Sequence, residues 1–142
     1  MIAVSSCLIG KKCRYNATDS LSQSLLEELA DYIDICPELI GGLPTPRLPC
    51  EIVYGTANDV LIGDAKIHDS SGNDITSEMV NGARQAFNIC KTNDVTKAYL
   101  KQNSPTCGCG RIYDGSFSGK LINGNGIFAE LLLSNGIDVV AV

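Results

Sequence analysis

The chain has 142 residues and a formal net charge of −5, with hydrophobic residues at 44% and charged residues at 19%. This is the composition of a folded domain, it excludes disorder, and residues 1–142 are read as a single domain. The acidic balance and the lack of any Lys/Arg run argue against a nucleic-acid polymer as partner; no apolar run reaches membrane-spanning length and the opening Met1-Ile2-Ala3-Val4 lacks a signal peptide's basic flank, so a cytoplasmic protein with no membrane partner is expected.

Met1–Ser5 reads as a first strand running into a loop at Ser6-Cys7. Leu21, Leu25, Leu26 and Leu29 share one helical face, and Ser20 with Gln23 fits a capping box at its start. Tyr32–Cys36 is a second strand. Strand, helix and strand make a βαβ unit and hence a parallel sheet. Residues 37–49 hold four prolines and the pair Gly41-Gly42, which excludes helix and central strand and predicts a long loop. Glu51–Tyr54 and Val60–Ile62 are short strand candidates, and Ser71-Gly72-Asn73 marks a peripheral hairpin within 66–75. Thr76 or Ser77 caps a helix whose apolar face is Met79, Ala83, Ala86, Phe87 and Cys90. Val95–Leu100 is the next strand. Asn123 or Asn125 caps a last helix through Phe128, Leu131 and Leu132, ended by Asn135-Gly136, and Ile137–Val142 closes the sheet. The fold class expected is α/β, a three-layer Rossmann-like parallel sheet with a small peripheral β-hairpin.

Seven cysteines, an odd number and a high one for this length, stand in a chain expected to be reducing in context. Cys7 ends the first strand, Cys36 ends the second, and Cys107 follows the strand of Val95–Leu100. Groups just beyond the carboxyl ends of parallel strands converge on one crevice. Thiolates gathered there repel one another unless a cation holds them, and soft thiolates select zinc or iron–sulfur clusters. Cys7, Cys36 and Cys107 are therefore read as metal ligands. Cys90, on an apolar helix face, is read as packing. Cys13, Cys50 and Cys109 lie between the two readings, and neither the Cys7/Cys13 nor the Cys107/Cys109 spacing is a zinc-finger pattern.

Glu38 follows Cys36 on the same loop edge and offers a general acid or base, or simply a surface carboxylate. Ser104 offers a hydrogen bond to substrate or a turn cap. Arg47 suits a carboxylate or phosphate, or an ion pair. His68 is the only histidine and is read as solvated, so histidine triads and mononuclear histidine metal sites lose support. Gly124-Asn125-Gly126 before the last helix offers a weak anion cradle.

Three motifs carry a family resemblance. Ser6-Cys7-Leu8-Ile9-Gly10-Lys11-Lys12-Cys13-Arg14-Tyr15 resembles the opening motif of the DUF523 family, which includes the 2-thiouracil desulfidases. Cys36-Pro37-Glu38 with Gly41-Gly42-Leu43-Pro44-Thr45-Pro46-Arg47 resembles its second motif, and Ser104-Pro105-Thr106-Cys107-Gly108 its third. The motifs are in order and the similarity spans essentially the whole chain. The chain departs at Asn16-Ala17, where the family usually has Asp-Gly.

The resemblance implies an α/β fold and a [4Fe–4S] cluster held by three cysteines, with one iron left open. It implies non-redox removal of sulfur from a small-molecule thio-nucleobase such as 2-thiouracil, giving uracil and sulfide. By motif the ligands are Cys7, Cys36 and Cys107, with Cys13 as the alternative ligand, and Glu38 and Ser104 assist catalysis. Two competing readings stay open at the level of sequence: a structural or regulatory zinc protein, and a thiol redox or sulfur-carrier protein cycling Cys107 and Cys109.

Overall fold

The computed structural model describes all of residues 1–142. Four short apolar runs, β1 (Ile2–Ser5), β2 (Tyr32–Ile35), β5 (Lys97–Leu100) and β8 (Asp138–Ala141), pair in parallel in the order β2-β1-β5-β8. The helices between them are α1 (Gln23–Glu28), α2 (Pro37–Ile40), α3 (Ala57–Ile62), α4 (Thr76–Thr92) and α5 (Ile127–Ser134). Strand alternation divides the core into two layers, one on each face of the sheet. Ala3, Ile35, Ala98 and Leu100 belong to the larger cluster with Met79, Ala83, Ala86 and Cys90 of α4 and Phe128 and Leu132 of α5. Val4, with Tyr99 at its margin, belongs to the smaller one with Leu8 and Leu25. The chain leaves β1 for β2 on one side and later returns to β5 on the other. The carboxyl ends of β1 and β5 therefore flank a topological switch point, where open α/β sheets bind ligands.

Beside this sheet lie two antiparallel pairs. β3 (Cys50–Val53) pairs with β4 (Lys66–Asp69), and β6 (Arg111–Tyr113) with β7 (Leu121–Asn123). The turn at Ser71-Gly72-Asn73 forms as expected, held by the Asp69 carboxylate, which accepts from the amides of Ser71 and Asn73. β4's ladder partner, however, is β3. Asp74 contributes only an isolated bridge to His68.

Several expectations are corrected. Residues 37–49 are not all loop: Pro37 begins α2, because at the first helical position its missing amide costs no hydrogen bond. Val60–Ile62 is the end of α3, not a strand. A capping box between Thr56 and Asp59 nucleates that helix, and Gly63 ends it in the left-handed region. α1 starts at Gln23 with no side-chain cap. Ser20 and Ser22 instead donate their amides to the carbonyls of Cys7 and Leu8, which pins 19–22 to a 3-10 turn, Ser6–Ile9. α4 is preceded by Asp74, whose carboxylate accepts from the Thr76 amide, while the Thr76 hydroxyl also contacts the Ile67 carbonyl.

α2 lies against α4 at backbone contact. A Cβ on Gly82 would fall 2.0 Å from the Pro37 carbonyl oxygen, and one on Gly41 would fall 2.1 Å from that of Glu78. Only glycine at both positions permits this approach. It sets the position of the helix that begins at the end of β2.

Candidate active site

Beyond the carboxyl ends of β1, β2 and β5 opens a cavity of about 410 Å³. Five of the seven cysteines line it: Cys7, Cys13, Cys36, Cys50 and Cys107. The first wall comes from Ser5, Ser6 and Cys7 at the end of β1. The Ser5 hydroxyl accepts from the Lys101 amide at 3.0 Å and so ties β1 to the segment after β5. Cys36, Pro37 and Glu38 continue from β2 directly into α2. The third wall is the loop 101–107. There the Ser104 hydroxyl accepts from the amides of Cys107 (2.8 Å) and Thr106 (3.3 Å), so Ser104 holds the turn while its own proton remains available to the cavity it lines.

Carbonyls of this loop satisfy the first amides of α5. Gly126 donates to Gly108, Ile127 to Pro105, and Phe128 and Ala129 to Thr106. Those amides are consequently not free for an anion, and the expected cradle at Gly124-Asn125-Gly126 is withdrawn. So are the expected caps: Gly126 is the N-cap, and Asn125 accepts from the Gly110 amide and donates to Glu130 instead.

Glu38 is held at both oxygens. Thr106, fully buried, donates its hydroxyl to Oε1 at 2.5 Å, and the Cys36 thiol donates to Oε2 at 3.4 Å. A carboxylate that accepts at both oxygens is presented as an acceptor, the form a general base needs. Thr106 carried no signal in the sequence beyond its place in the third motif.

The thiols are not independent. Cys13 makes side-chain contacts with both Cys36 and Cys7. The first lowers its pKa, but the second, with burial, pushes it up to about 11. Cys36 is driven far above the ordinary thiol range by contact with Cys13, by burial and by the nearby Glu38 charge. Cys107 goes the same way through burial and then Glu38, and burial with Glu38 raises Cys50 to about 12. Such thiols stay protonated at neutral pH unless a cation takes the proton's place. No three of the chain's His, Cys, Asp and Glu side chains are grouped as a single metal ion would need. Cys90 is fully buried on the core face of α4, and Cys109 stands outside the cavity.

Arg47 makes no ion pair. Its guanidinium donates to the carbonyls of Cys13 (3.0 Å) and Pro44 (3.3 Å) and to the Thr45 hydroxyl, and its amide donates to the Tyr15 carbonyl. The loop 44–47 thus clamps the strip that carries Cys13. His68 is half-buried rather than solvated, edge-on to Tyr54 at 5.6 Å between ring centroids, and has no part in the cavity.

Ala17, where the motif departs from glycine, sits at φ 59°, in the left-handed region disfavoured for any residue with a Cβ. Ala17→Gly is expected to raise stability by about 1 kcal/mol, since relief of the native strain outweighs the added freedom of the unfolded chain. A urea midpoint that does not rise would show that the turn carries no such strain.

Comparison with known proteins agrees with this geometry over nearly the full length. The family model described as 2-thiouracil desulfurase matches residues 2–142. A Bacillus subtilis (strain 168) protein, the uncharacterized YbbK, is 46% identical over 143 residues, covering 99% of this chain and 95% of its own. The solved structure of a [4Fe-4S]-dependent thiouracil desulfidase, TudS, superposes with a TM-score of 0.85 at 38% identity, covering 99% of this chain and 89% of the other.

Proposed function

The chain belongs to the 2-thiouracil desulfurase family, and from that premise we propose that it hydrolyses the carbon–sulfur bond of a thiolated pyrimidine, releasing the oxo base and sulfide, with a [4Fe–4S] cluster held by Cys7, Cys36 and Cys107. The observation that carries the reading is the cavity at the switch point, which Cys7, Cys36 and Cys107 line together with Glu38, the Cys36 thiol donating to the Glu38 carboxylate. The donor set fits the group. It is all sulfur, with no histidine in the lining, and soft thiolates favour iron–sulfur clusters. When bound through three cysteines, the cluster supplies one iron with no protein ligand, a Lewis acid for a soft thiocarbonyl sulfur.

The rest of the chemistry belongs to the chain. Glu38, aimed by Thr106, takes a proton from water as the water oxygen adds to the ring carbon bearing sulfur. The carbon–sulfur bond breaks, the sulfur leaves as sulfide, and the carbon keeps the water oxygen. Neither atom changes its oxidation level, so no electron donor is required. Ser104, whose oxygen already accepts two amides, donates its hydroxyl proton toward the substrate and holds it in register. Arg47 keeps the Cys13 strip in place, and Cys13 is the alternative ligand.

The test is anaerobic reconstitution with iron and sulfide, followed by an assay with 2-thiouracil. Uracil and sulfide formed in equal amounts by the brown protein, and by no iron-free sample, are expected. An active iron-free chain, or a loaded chain that leaves 2-thiouracil and other thiolated pyrimidines intact, would overturn the proposal. Stoichiometric zinc in place of iron would point to a structural metal protein.

A further inference from the structure

The β6–β7 hairpin ends in Asp114-Gly115-Ser116-Phe117-Ser118-Gly119, and this tip is docked on β3 through the backbone. Glu51, only 7% exposed, accepts at one oxygen from the amides of Gly115 (2.9 Å) and Phe117 (3.2 Å). Gly115 comes so near β3 that a Cβ would lie 2.6 Å from the Ile52 carbonyl oxygen. Phe117 itself is held at φ 56°. Backbone strain in a non-glycine residue persists only where surrounding contacts over-determine it, and such residues cluster at ligand clamps. Here the contacts are the two hydrogen bonds to Glu51. Their effect is to place an aromatic ring, 37% exposed, on the cavity lining, where the other aromatic side chains are Tyr15 and Tyr113.

We propose that Phe117 is a specificity-determining residue, the face on which the planar ring of the substrate stacks, and that Glu51 is the positioning residue that keeps it there. This rests on the thiolated-pyrimidine reading above. The hairpin tip brings no titratable group to the reacting atoms, so its contribution is to binding. Stacking on an aromatic face tolerates changes of ring substituent, so Phe117 selects for a flat heteroaromatic ring over an open-chain thioamide.

With the reconstituted holoenzyme and 2-thiouracil, Phe117→Ala is expected to raise KM about tenfold, with kcat within about twofold and iron content unchanged. Phe117→Tyr should restore KM. Glu51→Ala should reproduce the KM effect, Glu51→Gln should recover part of it, and the double variant should be no worse than Phe117→Ala alone, because both residues act through one element. Hydrogen exchange on the cluster-free chain gives a readout apart from turnover: Glu51→Ala should speed exchange at the amides of Gly115 and Phe117 and leave β1 protected. An unchanged KM in an active, loaded Phe117→Ala enzyme overturns the stacking role. Unchanged exchange in Glu51→Ala overturns the latch. If wild type itself is loaded but inert toward thiolated pyrimidines, the proposed function fails first and this assignment falls with it.

Discussion

Cys7→Ala, Cys36→Ala and Cys107→Ala should each lose most of the iron taken up on anaerobic reconstitution, from about four per chain to less than one, with the visible cluster band lost in parallel. All three line the cavity at the switch point, and on the proposed ligand set removal of one leaves two ligands, too few to hold a cluster against exchange with solvent. Cys90→Ala serves as control, since that thiol is buried among the apolar residues of α4 and reaches no cavity. Cys13→Ala is the discriminating case. Cys13 touches both Cys7 and Cys36, and the present ligand assignment requires that its removal leave iron content near wild type. Iron lost from Cys13→Ala and kept by one of the other three would exchange the two in the ligand set. Cys107 also packs in the larger core cluster, so far-ultraviolet circular dichroism of each variant is needed to separate lost ligation from lost folding.

Glu38→Gln should leave iron content intact and lower kcat by about 10²–10⁴-fold, the range for removal of a positioned general base. The amide is nearly isosteric, so the contact with Thr106 and the seat on α2 survive. What is lost is the capacity to hold a proton from water. KM should change little, because the proton transfer belongs to the transition state rather than to ground-state binding. A fully active Glu38→Gln enzyme would remove the carboxylate from the mechanism and transfer attention to Ser104.

Much of this was legible in the residues. The strands β1, β2, β5 and β8 are apolar runs bounded by turns, and the observed ends fall within two residues of those expected. α4 reads directly from its spaced Met79, Ala83, Ala86 and Cys90. That Cys7, Cys36 and Cys107 line one cavity follows from topology, because parallel strands bring their carboxyl ends to one edge. The misreadings have a common origin in local signals overridden by tertiary partners. Val-Leu-Ile at 60–62 has strand-like composition, yet the capping box at Thr56 and Asp59 and the packing of Val60 make it helix. Asn125 resembles a cap, yet the 105–108 carbonyls reach the α5 amides first. Thr106, Glu51 and Phe117 carry no local signal, because their roles arise from contacts across 64 to 68 residues of chain. The hairpin that carries Phe117 did leave a trace: Arg-Ile-Tyr and Leu-Ile-Asn flank two glycine-bearing turns in 111–123.

The thiols at the switch point come from the ends of β1 and β2 and from the loop beyond β5, so they meet only after the central sheet has assembled. An unfolded chain presents no such site. Whatever binds there draws the population toward the native state by mass action, and its loss returns that free energy to unfolding. A bound cluster would thereby add to the protein's stability as well as supply its activity, and the loaded chain is expected to unfold at a higher urea concentration than the cluster-free one.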